Sequence, residues 1–312
     1  MNVADLVDKY LEHLKLEKNY SPRTLESYAH YLTRFLQWTG VNALKDLSPT
    51  LIRDYQIKLY DFTDERGGQL TPKTRNYHLI ALRGFLRYLI VERGMVDIVP
   101  PEKVALGRIS EREISVLEEG DLAKLMAAPN SQTRGGRRDR ALLETLFSTG
   151  LRVSELVSLN REQINLETGE FSVLGKGGRR RVVFLSERAT ATLADYLQNR
   201  HDDYQPLFIR FRGPKVQDTS PNIGVRGEGW RLSARGVQRL VKKYVRRAGL
   251  PLGVTPHTLR HSFATDLLRG GADVREVQEL LGHKNIATTQ IYTHVTDRRL
   301  KEVFRKSHSG NK

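Results

Sequence analysis

Apolar residues recur every three or four positions through the first 95 residues, with polar residues between them. This spacing predicts helices that each bury one face. Ser21-Pro22 and Thr71-Pro72 have the N-cap residue and following proline that are favoured at a helix start, where the missing proline N–H does no harm. We therefore expect an all-α bundle with helices at 3–16, 21–38, 50–62 and 72–91.

The helical pattern lapses after Val99-Pro100-Pro101 and resumes at Leu117, which indicates a linker between two domains. Helices are predicted at 117–127 and 137–148. Residues 170–185 then alternate as a β-hairpin does. Its apolar positions are Phe171 and Val173 on the first arm and Val182 and Phe184 on the second. The fold class predicted is thus two-domain, with an all-α bundle followed by a mainly α, mixed α/β domain that contains a small hairpin. The expected boundaries are 1–104, a linker at 105–112, and 113–312.

The net charge of the 312 residues is +15, and it is unevenly spread. Residues 1–107 hold 15 Lys and Arg against 13 Asp and Glu, whereas the remainder holds 36 against 23. A polyanion, most commonly nucleic acid, is the partner that such a balance favours. With no cysteine, disulfides and thiolate metal sites are excluded. We see neither a membrane span nor a signal peptide, so a soluble cytoplasmic protein is expected.

Every charge between residues 66 and 91 is positive. A solvated helix face would explain such a run, and so would a surface that contacts DNA phosphates. The candidate DNA-binding residues are Lys73, Arg75, Arg83 and Arg87, joined by Arg179 and Arg180 of the hairpin.

Residues 254–294 carry the strongest chemical signal. Pro256 suits the first position of a helix, which puts His257 and Arg260 on one face of its opening turns. A second apolar-periodic helix follows and stops at Gly282, so that His283 lies just beyond it. Tyr292 comes nine residues later. A phenol has a pKa of about 10 and needs a base to become a nucleophile at neutral pH, and arginine suits the charge that builds on an attacked phosphate.

Two upstream motifs complete this chemistry. Arg152 and Glu155 are three residues apart on a short helix, so the carboxylate can orient the guanidinium, although surface salt bridges of this kind are common. Lys176 lies at the hairpin tip within Gly175-Lys176-Gly177-Gly178. It is either a solvated turn residue or the donor of a proton to a leaving oxygen.

The order and spacing of these residues resemble the catalytic signature of the tyrosine recombinase (phage integrase) family. The stretches Thr-Gly-Leu-Arg-Val-Ser-Glu-Leu at 149–156 and Leu-Leu-Gly-His-Lys-Asn-Ile-Ala-Thr-Thr-Gln-Ile-Tyr-Thr-His-Val at 280–295 look most like Xer-type recombinases. The resemblance covers nearly the whole chain. It implies that the first domain is a SAM-like core-binding domain and the second the catalytic domain.

The resemblance also implies a role for each residue. Tyr292 would attack a DNA phosphodiester to form a 3′-phosphotyrosine, and Arg152 and Arg260 would clamp the phosphate. His257 would be the base for the tyrosine and His283 a donor to the phosphate. The remaining roles are protonation of the leaving 5′ oxygen by Lys176 and orientation of Arg152 by Glu155. Because one ester replaces another, no ATP or other cofactor is expected. No metal is expected either, because two guanidiniums would supply the charge stabilisation that two-metal nucleases obtain from ions.

Four protomers are implied, holding two inverted-repeat sites on double-stranded DNA and exchanging strands through a Holliday junction. A paralogous recombinase or accessory protein could take part. Dimer resolution and mobile-element integration remain alternatives, and a type IB topoisomerase-like enzyme or a DNA-binding module without catalysis are the competing classes.

Three further features bear on this picture. His257 and His261 are spaced as zinc ligands can be, but the glutamate of a metalloprotease motif is missing. Residues 210–232 form a Gly/Pro-broken connection that is longer than in Xer-type proteins. Either it contacts DNA or a neighbouring subunit, or it is a mobile loop. A short helix at 297–306 is expected to dock onto the next subunit.

Overall fold

The computed structural model describes residues 2–65, 67–109, 116–175, 180–211 and 225–282. The chain divides into two compact units, Met1–Arg112 and Glu113–Lys312. The first is helical, and the second combines helices with a two-stranded sheet. This confirms the predicted fold class, whereas the finer boundaries at 104 and 112 stay a prediction.

The first unit is a bundle of four helices: α1 Val3–Leu16, α2 Pro22–Thr39, α3 Pro49–Asp61 and α4 Pro72–Val91. Ser21, Ser48 and Thr71 each accept a backbone N–H with their side chain, and each is followed by proline at the first helical position. The apolar faces of the helices meet in one core. The bundle is thus the amphipathic arrangement that the spacing predicts.

The start of the expected linker is attached to the first unit. The side-chain amide of Asn76 donates to the carbonyl of Gly107 at 2.8 Å and accepts its N–H at 2.9 Å. Gln56 donates to the carbonyl of Ala105 at 2.8 Å. Residues 105–107 therefore run along α3 and α4, and residues 110–115 lie outside the described ranges.

The second unit contains seven helices and one hairpin in its described part. They are α5 Glu119–Ala127, α6 Arg134–Thr149, α7 Val153–Ser158, β1 Glu170–Leu174, β2 Arg180–Phe184, α8 Glu187–Gln198, α9 Ala234–Arg247, α10 Pro256–Gly270 and α11 Val274–Leu281. Helix α5 begins two residues later than predicted. Leu117 precedes it, buried, and donates its backbone N–H to Ser262 Oγ at 2.9 Å.

Strands β1 and β2 pair antiparallel, with Phe171 opposite Val183 and Val173 opposite Arg181. Phe171, Val173 and Val183 are buried, whereas Val182 and Phe184 are 50% and 49% exposed. The apolar alternation predicted for the second arm is therefore wrong by one residue. Val182 and Phe184 face outward, and the inward positions of β2 belong to Val183 and Arg181.

The described ends of the 210–232 connection are anchored. Ile209 and Arg231 form a β-bridge, and the Arg231 guanidinium donates to the carbonyls of Val157 and Leu159 at 2.8 and 2.9 Å. The ring of Phe211 lies under the guanidinium of Arg138, 5.3 Å from its centroid. Residues 212–224 and the predicted tail helix at 297–306 lie outside the described ranges.

Candidate active site

Helix α10 places two of the predicted catalytic residues. Thr255 is its N-cap and Pro256 occupies the first helical position, as the sequence predicts. His257 and Arg260 follow in the opening turns. The Arg260 side chain is directed into the protein, and the residue is only 4% exposed.

Arg260 connects the ends of two other helices. Its Nη1 donates to the carbonyl of Gly150, after α6, at 2.5 Å, and its Nη2 donates to the carbonyl of Leu281, at the end of α11, at 2.7 Å. Last-turn and C-cap carbonyls lack helical partners and carry the negative end of the helix dipole. They therefore stabilise a guanidinium that is almost fully buried.

Gly150 allows this close approach. Its φ of 58° lies in the left-handed region, where glycine ends α6 without strain. A Cβ built there would lie 2.4 Å from Cδ1 of Phe263, so a side chain at this position would also collide with α10. The motif around Arg152 therefore begins with a glycine for both conformational and steric reasons.

Arg152 and Glu155 form the pair that their spacing predicts. Arg152 is the N-cap of α7, and Glu155 accepts its backbone N–H at 2.9 Å and its Nη1 at 2.8 Å. The Glu155 side chain is only 5% exposed and that of Arg152 30%. This is not the surface salt bridge that was the alternative interpretation, because the carboxylate is buried.

Arg181 is a third arginine in the cluster, and the sequence analysis did not single it out. Its Nη1 and Nη2 donate to the two Glu155 oxygens at 3.1 and 2.8 Å, and its Nε donates to the carbonyl of Leu280 at 3.0 Å. The signal that could have found it is the strand alternation, since an arginine two residues before the buried Val183 shares its face.

The two arginines control the charge of Glu155. Burial by itself would raise the pKa of this carboxyl. The hydrogen bonds from Arg181 and from the Arg152 backbone, together with the Arg181 charge and the Arg152 side chain, lower its pKa to about 2. Glu155 is therefore fully ionised at neutral pH and balances one of the positive charges gathered here.

His257 lies near two arginines of the cluster, Arg260 and Arg152. Partial burial, followed by the positive charges of Arg260 and Arg152, lowers the pKa of its imidazole below the usual value. The ring is therefore neutral at physiological pH and able to accept a proton. Burial also lowers the pKa of His261, with contributions from His257 and Arg260. The structure thus brings together Arg152, Glu155, His257 and Arg260.

The other predicted catalytic residues are outside the described part of the chain. These are Lys176, His283 and Tyr292, and the DNA-binding candidate Arg179 shares this status. The structure does describe β1 and β2, which flank Lys176, and Gly282, which precedes His283. Arg181 of β2 pairs with Val173 of β1 and lies close to Gly282. Among the described residues, no group of three His, Cys, Asp or Glu side chains is placed to hold a metal ion.

Helix α4 carries the predicted basic surface on a narrow exposed stripe. Lys73 and Arg87 are exposed along it, with Tyr77 and Ile80 between them, whereas Arg83 is half-buried. The members differ in environment. Arg83 Nε donates to the carbonyl of Val104 at 2.7 Å, and Arg87 makes an exposed pair with Glu102 at 3.4 Å. Arg75 lies apart from the stripe, with its guanidinium 4.6 Å from the Tyr60 ring centroid on α3.

A second basic surface was missed by the sequence analysis. Helix α9 has six exposed positive side chains and no acidic residue, while its apolar face packs into the core of the second unit. The signal is an amphipathic helix whose charges all have one sign. Its exposed cations are Arg235, Arg239, Lys242, Lys243, Arg246 and Arg247.

Comparison with known proteins decides the family. Residues 115–299 match the phage integrase family, and residues 7–93 match the phage integrase N-terminal SAM-like domain. The chain belongs to the phage integrase family. This recombinase is 40% identical over 305 residues to the tyrosine recombinase XerC of Pelotomaculum thermopropionicum, an alignment that covers 97% of each chain. It is 35% identical over 304 residues to the tyrosine recombinase XerD of Listeria innocua, covering 97% of this chain and 98% of that one.

Solved structures agree with this assignment at the level of fold. The XerH site-specific recombinase bound to palindromic difH substrate in a post-cleavage complex superposes with a TM-score of 0.68 at 24% identity. The match covers 96% of this recombinase and 84% of XerH. No helix in the described ranges is both long and apolar enough to cross a membrane. The chain is a tyrosine recombinase of the Xer type, an enzyme that breaks and rejoins DNA at specific sites.

Proposed function

We propose that Arg152 and Arg260 bind the scissile phosphate of a recombination site while Tyr292 attacks its phosphorus. The observation that carries this proposal is the convergence of two guanidiniums and a neutral imidazole beside Gly150. Positive groups fixed before the reaction stabilise the charge that develops on a phosphate in the transition state, because they need no reorganisation.

The two arginines have different environments and therefore different tasks. Arg152 donates to Glu155 through its Nη1. Its Nε and Nη2 make no hydrogen bond within the described residues, so they can donate to a non-bridging oxygen of the phosphate. Arg260 is held from behind by two carbonyls and contributes a second, buried positive charge. Binding from two sides fixes the phosphate for in-line attack.

The imidazole of His257 accepts the proton of Tyr292 as the Tyr292 oxygen bonds to phosphorus. The P–O5′ bond breaks at the same time, and Lys176 gives a proton to the leaving 5′ oxygen. His283 donates a hydrogen bond to the phosphate. The product is a 3′-phosphotyrosine, so the ester energy is retained and religation to a partner strand needs no ATP. The roles of Tyr292, Lys176 and His283 rest on the spacing of the motifs. The described ends of the hairpin strands and of α11, which adjoin Lys176 and His283 in the chain, support them.

DNA is held by both basic surfaces. The α4 stripe offers Lys73, Arg83 and Arg87 to the backbone, with Tyr77 and Ile80 able to contact sugars. Arg180 on the hairpin and the six cations of α9 serve the catalytic unit. Arg75 and Arg179 complete the set. Phosphate contacts of this kind make affinity depend steeply on salt.

The active assembly is a homotetramer on two inverted-repeat sites, which exchanges strands through a Holliday junction. Its work is Xer-type dimer resolution or mobile-element integration, carried out in the cytoplasm on the nucleoid, with a paralogous recombinase or accessory protein as a further participant. The relatives named tyrosine recombinase XerC and XerD support the recombinase chemistry that both roles share.

Covalent capture tests the proposal. The chain is mixed with fragmented DNA from its source cell and denatured in SDS, and the DNA that stays attached is sequenced. Attachment should converge on one inverted-repeat site and disappear with Tyr292→Phe. Tyr60→Phe, at a tyrosine that is 67% exposed in the first unit, is the matched control and should leave attachment unchanged.

The same experiment distinguishes the roles. If attached fragments carry the replicon's dimer-resolution site, the first role holds, and if they carry the ends of a mobile element, the second does. Tight DNA binding without attachment that depends on Tyr292, even when candidate partner recombinases are added, would refute the proposed chemistry.

A further inference from the structure

Arg181 occupies an unusual position for a charged side chain. It lies on the inward face of β2, two residues from the buried Val183, and its side chain is only 9% exposed. The exposed Arg180 beside it can contact DNA directly, whereas Arg181 is enclosed by protein. A buried guanidinium in a small hairpin needs acceptors for its N–H groups.

All the acceptors come from other elements. Two N–H groups meet the two oxygens of Glu155 on α7, 26 residues away, in a forked pair. The Nε meets the carbonyl of Leu280 on α11, 99 residues away. One planar group thus joins β2, which follows Lys176 in the chain, to α7 and α11.

The contact with α11 lies beside that of Arg260. Leu280 accepts from Arg181 and Leu281, the next residue, accepts from Arg260. A Cβ built on Gly282 would lie 3.1 Å from Cδ of Arg181, so the end of α11 rests against this side chain. The last residues of α11, which precede His283 in the chain, are therefore held by two arginines.

The contact with Glu155 reaches the phosphate-binding residue. Glu155 receives two hydrogen bonds from Arg181 and two from Arg152. A carboxylate held on only one side could rotate about its χ angles, and the Arg152 guanidinium would move with it. The fork from Arg181 fixes the carboxylate, so Arg152 is presented in one orientation.

We infer that Arg181 is a positioning residue for strand cleavage, acting through Glu155 on the guanidinium of Arg152. This inference rests on the proposed function. It predicts that Arg181→Met slows single-turnover cleavage about 10- to 100-fold, the range seen when groups that orient a primary ligand are removed. The affinity for DNA should change less than about threefold, because Arg181 itself is enclosed.

The test compares linkages at the scissile position of the site that covalent capture identifies. In a methylphosphonate linkage one non-bridging oxygen is replaced by a neutral methyl group, so less charge needs stabilisation. Misplacement of Arg152 should therefore slow cleavage less on this linkage. With one of the two methylphosphonate stereoisomers, the loss of cleavage rate in Arg181→Met should shrink to below about threefold.

A bridging sulfur at the leaving position checks the alternative route. A thiolate leaves without needing a proton. This linkage would therefore restore the cleavage rate of a variant whose only defect is a misplaced Lys176. We expect the Arg181→Met deficit to persist on this linkage. Recovery with sulfur alone would place the effect on the hairpin and contradict the inference.

Two variants separate positioning from stability. Arg181→Lys keeps the charge but lacks the fork, so it should cleave at a rate between wild type and Arg181→Met, and it serves if Arg181→Met does not fold. Arg200→Met is the matched control, because Arg200 is 1% exposed and bonded to Asp202 and to the carbonyls of Pro206 and Leu207 in the same unit. It should lower Tm and show one common deficit on every linkage.

Equal deficits of the Arg181 variants on all linkages, or wild-type cleavage by both of them, would overturn the inference. Absence of attachment in the wild-type chain, even with candidate partner recombinases added, is a different result, because it refutes the proposed function before Arg181 is tested.

Discussion

Replacing Glu155 with glutamine should remove the charge at the centre of the arginine cluster without changing its volume. The carboxylate accepts four hydrogen bonds, from the backbone and Nη1 of Arg152 and from both terminal nitrogens of Arg181. A glutamine has one acceptor oxygen, and its NH₂ group would face donors. Arg181 would then be a buried cation without its counterion.

The expected loss of stability follows from the pKa. The usual value of 4.5 falls to about 2 in the folded chain, a difference of roughly 2.5 units. At 1.36 kcal/mol per unit this corresponds to roughly 3 kcal/mol at neutral pH. Loss of one partner from a buried ion pair typically costs about 3–5 kcal/mol, which agrees. For a unit of this size we expect Tm to fall by about 6–12 °C.

The pH dependence has a definite sign. Because folding lowers the pKa of Glu155, its contribution is complete above pH 4.5 and is lost as pH falls towards 2. Glu155→Gln lacks this contribution at every pH. The difference in Tm between the two proteins should therefore be largest at neutral pH and narrow in acid.

Differential scanning calorimetry between pH 7 and pH 3 measures both effects on the transition of the catalytic unit. Glu118→Gln is the matched control, because Glu118 also pairs with an arginine, Arg269, but is 72% exposed. Exposed pairs contribute less than about 1 kcal/mol. A decrease in Tm for Glu155→Gln no larger than that of the control would refute the reasoning from burial.

Three further predictions concern catalysis, DNA binding and the close approach at Gly150. Since the pKa of His257 is lowered, the wild-type cleavage rate should be level near neutral pH and fall only below the usual histidine value of 6.5; a decline that begins above pH 7 in single-turnover assays would contradict this. Arg87→Ala should reduce the slope of log K against log salt by about 0.9 in binding titrations, whereas Arg53→Ala, exposed on α3 outside the stripe, should not. Gly150→Ala should destabilise the catalytic unit by about 2–4 kcal/mol, from left-handed strain plus the collision with Phe263, whereas Gly249→Ala has the strain alone and should cost about 1 kcal/mol. Similar denaturation midpoints for the two glycine variants would remove the steric argument.

Much of the scaffold is predictable because its signals are local. Neighbouring residues alone predict the start of α10 at Pro256 and the end of α11 at Gly282. The Arg152–Glu155 pair is equally local, since three residues separate the partners on one helix. Helix periodicity, caps and short spacings need no knowledge of the rest of the chain.

The remaining features depend on contacts between distant segments. Nothing near Arg181 in the sequence indicates that its acceptors are Glu155 and Leu280, so the apolar pattern alone predicts the wrong inward face for β2. The alternation rule assumes that the inward face is apolar, whereas here an ion pair occupies it. The burial of Arg260 against the carbonyls of Gly150 and Leu281 was equally invisible, because a sequence does not show which helix ends meet.

The long separations within the site also bear on how the chain folds. Arg260 reaches Gly150 across 110 residues, and Arg181 reaches Leu280 across 99. Closing such loops loses chain entropy before the contacts form, so these hydrogen bonds are expected late in folding. A nascent or partly unfolded copy would carry Tyr292 without an assembled pair of guanidiniums. On the proposed function, its tyrosine would then be chemically idle, and only copies whose catalytic unit has finished folding would cut the cell's DNA.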